Sequence, residues 1–119
     1  MADTRRLTGG CHCGAVRYAV ETDLAMVISC NCSHCAKKGF LLTFTPKAAF
    51  TLKTDRSALA EYTFNTGKIR HQFCRTCGVQ SFADGIGPNG DEMAAINVRC
   101  LDDVDLASLA VVQVNGRDF

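Results

Sequence analysis

Seven of the eight cysteines in this 119-residue chain fall into three tight clusters: Cys11-His12-Cys13, Cys30-Asn31-Cys32-Ser33-His34-Cys35 and Cys74-Arg75-Thr76-Cys77. No other feature limits the fold as strongly. A Cys-x-x-Cys turn sets two sulfurs on one side of a tight knuckle, within reach of a common ion at ~2.3 Å. The first and third clusters each supply two thiolates, enough together for one closed tetrahedral zinc site. Gly14 follows Cys13 and Gly78 follows Cys77, and a residue at that point of a knuckle often needs positive φ. The repeated ending supports pairing Cys11 and Cys13 with Cys74 and Cys77. Such a site would tie an N-terminal hairpin to the middle of the chain across roughly 60 residues. The competing readings for these four are a disulfide or buried small hydrophobes.

The second cluster differs. Cys30, Cys32 and Cys35 offer three sulfurs from one six-residue loop, so a tetrahedral ion there takes its fourth ligand from elsewhere. Candidates are a water, a substrate thiol, His34, His71 or Cys100. A histidine or Cys100 would close the site and make it structural, whereas water or a substrate thiolate would make it a Lewis-acid centre. The spacing favours the open site; a closed site and a transient or regulatory thiol cluster are the alternatives. His12, between two metal-facing cysteines, is expected to point away. His34 could hydrogen-bond a sulfur, and His71 lies on a strand facing opposite to Gln72. A satisfied polar contact is the simplest role for each, and Cys100 reads most simply as a small buried residue. Lys37, Lys38, Arg70 and Arg75 lie near the clusters in sequence, either as solvated charge or as partners for the carboxylates of an anionic thiol substrate.

The length predicts one domain, residues 1–119, small enough for metal staples to matter. The apolar runs are too short to cross a membrane, and Met1 to Gly10 carries no signal-peptide core. A cytoplasmic, reducing location is the expectation, and there eight cysteines argue for metal and against disulfides. The formal charge of +1 falls to roughly −2 once seven thiolates and two zinc ions are counted. With no Trp and 8% aromatic residues, this argues against a nucleic-acid partner.

The secondary-structure pattern is mainly β. Val16, Tyr18 and Val20 alternate with Ala15, Arg17 and Ala19 as in a half-buried strand. Met26 to Ser29, Leu41 to Thr45, Phe50 to Leu52, Glu61 to Phe64, Ile69 to Phe73, Gln80 to Phe82, Met93 to Arg99 and Val111 to Val114 are further candidates. The best helix is short, Asp103 to Leu109, and Asp84 to Asp91 reads as a surface loop.

Gly10-Cys11-His12-Cys13-Gly14-Ala15-Val16-Arg17-Tyr18 resembles the opening motif of the glutathione-dependent formaldehyde-activating enzyme (Gfa) family, also called the centromere protein V domain family. Cys30 to Cys35 resembles its second motif, Phe73 to Val79 its third, and Asn97 to Asp105 its late strand and turn. The resemblance spans about residues 7 to 116. It implies a β-tent fold of stacked antiparallel sheets built around two zinc ions. It also implies a structural site at Cys11, Cys13, Cys74 and Cys77 and a catalytic site at Cys30, Cys32 and Cys35. The implied activity is that of a carbon–sulfur lyase, which forms or cleaves thiol–aldehyde adducts such as S-(hydroxymethyl)glutathione from glutathione and formaldehyde. One departure bears on how substrate carboxylates are held: Ala36 follows Cys35, where many relatives place an arginine. The competing function is a zinc-stabilised binding module, with both metal sites structural and a protein partner.

Overall fold

In the computed structural model, which describes residues 4–64, 68–87 and 89–115, short strands dominate, as the β-branched and aromatic runs predict. In chain order the first five are β1 (Arg5–Gly10), β2 (Arg17–Thr22), β3 (Val27–Cys30), β4 (Leu42–Pro46) and β5 (Phe50–Leu52). The next five are β6 (Leu59–Tyr62), β7 (Arg70–Cys74), β8 (Gln80–Ile86), β9 (Glu92–Asn97) and β10 (Val111–Val114). They build a three-stranded sheet in the order β1-β2-β5 and a seven-stranded sheet in the order β10-β3-β4-β9-β8-β7-β6. The strand pairs are antiparallel except one: β10 runs parallel to β3 and sets Val114 opposite Cys30.

The two sheets meet through their apolar faces. Tyr18 of the small sheet meets Phe82 of the large sheet edge-on and Phe50 meets it at a tilt, the three ring centroids lying 4.6 to 5.9 Å apart. Val16, Val20, Ala94 and Ile96 complete the contact, all at most 1% exposed. Truncating a ring packed this closely costs about 3 to 5 kcal/mol, so the Phe82 contact is a main tie between the layers.

Several elements depart from the sequence reading. β1 is a strand although its only large apolar residue is Leu7; its six-residue register with β2, from Arg5 opposite Thr22 to Gly10 opposite Arg17, supplies the order. The second cysteine cluster is not all loop: α1 (Ser33–Lys38) starts inside it. Cys32 caps this helix by accepting the Cys35 N–H on its sulfur, the task an Asp or Ser performs elsewhere. The helix over Asp103 to Leu109 shrinks to a 3-10 turn at Leu106–Ser108, because the Asp105 carboxylate caps the Ala107 N–H inside the segment. The loop expected from Asp84 starts later. Asp84 pairs with Arg70 on one side and Ala94 on the other, so ladder formation overrides its turn propensity and β8 continues to Ile86. Pro88 of that expected loop lies outside the described residues. Among the described residues no helix is long and apolar enough to cross a membrane.

Candidate functional site

The paired glycine-ended knuckles come together. Cys11 follows β1 and Cys13 lies in the turn to β2, while Cys74 ends β7 and Cys77 lies in the turn to β8. One knuckle belongs to each sheet, so the four cysteines gather where the two layers meet. Gly14 and Gly78 hold φ of +87° and +80°, which a side-chain-bearing residue adopts only with strain. The four sulfurs lie within 4.8 Å of one another. The Cys11–Cys13 and Cys13–Cys74 separations are 3.7 and 3.6 Å. A tetrahedron with Zn–S bonds of ~2.3 Å has edges of about 3.8 Å, so the set fits zinc and is far too wide for a disulfide.

Backbone donors prepare these sulfurs for negative charge. The Val16 N–H donates to Cys11 Sγ, and the Thr76 and Cys77 N–H groups donate to Cys74 Sγ, at 3.3 to 3.4 Å. The N–H groups of Val79 and Cys13 pull the Cys77 thiol down to about 6, and Cys77 N–H lowers Cys74. Cys13 moves the other way, to about 11: the Ala15 N–H lowers it, but the crowd of neighbouring sulfurs, Cys74 first, raises it further. A bound cation would relieve that crowding.

The second set is asymmetric. β3 delivers Cys30, Cys32 caps α1, and Cys35 lies in the helix's first turn; their sulfurs also lie within 4.8 Å of one another. Among the described residues no fourth histidine, cysteine or carboxylate joins them. Burial opposes ionisation of Cys32, but the N–H and thiol of Cys35 outweigh it and lower this thiol, while burial raises Cys35. Cys100 joins neither set; its sulfur points to the Gln80 carbonyl at 3.8 Å. His12 is exposed.

His34 and His71 are not simply satisfied polar residues. The His34 ring packs among Phe40, Tyr62, Phe64 and His71, with its centroid 4.2 Å from that of His71. Nδ1 of His71 meets the Gln80 side-chain amide at 3.1 Å. His71 Nε2 and His34 Nδ1 are buried with no partner among the described residues. With the amide donating, His71 carries its proton on Nε2, buried beside the pocket that the ring helps to line. Burial, then His34 and Lys38, holds the His71 imidazole near 4, so it is neutral at pH 7.

The three cysteines and both rings line a pocket of about 490 Å³ whose other walls are mostly apolar, among them Ile28, Leu42, Phe44 and Phe82. Lys37 and Lys38 line a second groove of about 400 Å³ that meets it at His34 and Gln80. The four basic residues singled out by sequence therefore divide. Arg75 is spent on the Leu59 carbonyl at 2.8 Å, and Arg70 lies in a separate groove with Lys47 and Lys68. Sequence reasoning missed the aromatic box and the helix. The helix had a signal: Cys32 and Cys35 stand three apart, the spacing of a cap and the N–H it binds.

The family model of the glutathione-dependent formaldehyde-activating enzyme matches residues 6–113. A crystal structure of a Rhodobacter sphaeroides protein, 30% identical, superposes with a TM-score of 0.79 over 91% of this chain and 99% of that one.

Proposed function

This chain belongs to the glutathione-dependent formaldehyde-activating enzyme family, and from that premise we propose that it is a zinc-dependent carbon–sulfur lyase. It would form or cleave adducts between a small thiol such as glutathione and a small aldehyde. The observation that carries the reading is the three-cysteine set, which has no fourth described protein ligand and opens into a pocket. Cys11, Cys13, Cys74 and Cys77 would hold a structural zinc. Cys30, Cys32 and Cys35 would hold a catalytic one with a position left for substrate.

A zinc held by Cys30, Cys32 and Cys35 would supply Lewis acidity, favouring a thiolate or polarising a carbonyl oxygen. Three thiolates temper that acidity, which suits an easy carbonyl addition better than amide hydrolysis. The rest falls to the chain. Lys37 and Lys38 hold substrate carboxylates in their groove. His71, neutral, offers its Nε2–H to the carbonyl oxygen as charge develops there, and Gln80 fixes the tautomer. The apolar walls keep bulk water from the reacting carbon. Cysteines gathered as metal ligands suit a reducing, cytoplasmic setting.

The test is a cobalt-substituted protein titrated with glutathione. The visible bands of the three-cysteine site should shift, and Cys32→Ser should abolish both the shift and turnover. The exposed side chains Phe44, Ile69 and Ile86 favour the binding-module alternative instead. Under that reading glutathione leaves the cobalt spectrum unchanged, and that outcome would refute the lyase proposal.

A further inference from the structure

The face of the seven-stranded sheet turned away from the core is a trough. Residues paired across strands share a face, and the register Phe44–Ala95–Ala83–His71–Tyr62 forms one row from β4 to β6. The centre of that row is two alanines, while Phe44 stands on one side and His71 and Tyr62 on the other. In the next row Gly85 lies between Ile69 and Met93, so the small residues continue along β8 while Met93 closes the far end. The floor is therefore low and the walls tall.

The trough starts at the three cysteines. Their pocket shares Phe44, Ile69, Ala83 and Ala95 with an adjoining one of about 380 Å³ that reaches Ile86 and Met93. Along β9 it runs from Asn97 to Met93, four residues or ~13 Å. The polar side chains His34, His71, Gln80 and Asn97 cluster at the cysteine end. Beyond them the walls are Phe44 and Ile69, which are 46% and 52% exposed. The Lys37 and Lys38 groove leaves the same point separately. One arm is thus cationic and the other apolar, with the sulfurs where they meet.

A one-carbon aldehyde would leave the apolar arm empty. We infer that the carbonyl substrate is an apolar aldehyde, alkyl or aryl, whose tail lies in the trough while an anionic thiol occupies the lysine arm; this rests on the lyase reading above. In the forward step the thiol sulfur bonds the carbonyl carbon, the C=O π pair moves to oxygen, and the thiol proton ends on that oxygen. The reverse step breaks the same C–S bond. No oxidant or reductant is needed.

S-methyl-, S-butyl- and S-hexylglutathione are stable stand-ins for such adducts, and their binding to the zinc-loaded full chain can be measured by calorimetry. Each buried methylene is worth up to about fourfold in affinity, so S-hexylglutathione should bind at least about 10-fold tighter than the methyl compound. Ala95→Leu, which fills the floor, should flatten that ratio. Ile69→Ser, on the exposed wall, should reduce it without threatening the fold. Equal affinities along the series would overturn the inference and leave the lyase reading standing, whereas no binding by any member would overturn both. A ratio untouched by both variants would move the tail elsewhere. A dimer in sedimentation that Ile69→Ser dissociates would assign the trough to a second copy of the chain.

Discussion

Replacing Cys74 by serine should destabilise the protein far more than replacing Cys32, although both changes remove one sulfur from a three- or four-sulfur set. The difference comes from what each set closes. Cys13 and Cys74 are 61 positions apart and belong to different sheets, whereas Cys30 to Cys35 span six residues. Loop-closure entropy grows as (3/2)RT ln n, so length alone favours the long-range set by ~2 kcal/mol. At ~2.1 cal/mol/K per residue, unfolding this chain carries an entropy near 0.25 kcal/mol/K, and ~2 kcal/mol becomes about 8 °C in Tm. The assay is thermal unfolding of Cys74→Ser and Cys32→Ser, with zinc per chain counted by native mass spectrometry. The expected result is one zinc retained by each variant and a melt about 8 °C lower for Cys74→Ser. Equal melting temperatures, or a lower one for Cys32→Ser, would refute the claim that the four-cysteine set holds the sheets together.

His71→Phe should keep both zincs yet lower kcat by ~10²-fold, the usual loss for one donor to a developing oxyanion; undiminished turnover would remove His71 from the chemistry. Lys37→Ala with Lys38→Ala should raise KM for glutathione several-fold, more so at low salt, and leave kcat nearly unchanged in steady-state assays. Asp102 holds Arg17 and, at 2.8 Å, Thr8, and these bonds, Arg17 first, keep its carboxyl below the usual 3.8. A depressed carboxyl contributes stability that is present above that usual value and lost as pH falls through the folded one. Asp102→Asn should therefore flatten the acid limb of the stability curve below about pH 4, and an unchanged limb in pH-dependent melts would disprove the linkage.

The gathering of the cysteines into two sets was legible because knuckle geometry is local. Two sulfurs two or three residues apart with a glycine behind them specify their own turn, and only four sulfurs were available to pair that way. Strand order was not legible. The parallel join of Val114 to Cys30 depends on which edge β10 finds, and no short stretch of sequence encodes that. Asp84 misled for the reverse reason, since a residue that reads as turn-forming by itself was captured by partners on both sides. The unpaired Nε2 of His71 is invisible in sequence because it depends on Gln80, nine residues away, having taken the other nitrogen. The trough escaped for a similar reason. Ala83, Ala95 and Gly85 look like unremarkable small residues until the register lines them up.

The span between the two knuckles also sets a schedule. During synthesis at about 5 to 20 residues per second, the 61 positions from Cys13 to Cys74 take ~3 to 12 s. Throughout that interval Cys11 and Cys13 have left the ribosome without their partners. Cys30, Cys32 and Cys35 emerge in the middle of it, already complete as a set. A nascent chain in a zinc-replete cell would therefore meet its metal first at the three-sulfur cluster, with a stray thiol from the first hairpin free to take its one open position wrongly. A thiol borrowed in this way would have to be surrendered when the β7–β8 turn appears. The order in which the sulfurs emerge thus gives the three-cysteine set first access to metal and the set between the sheets the last.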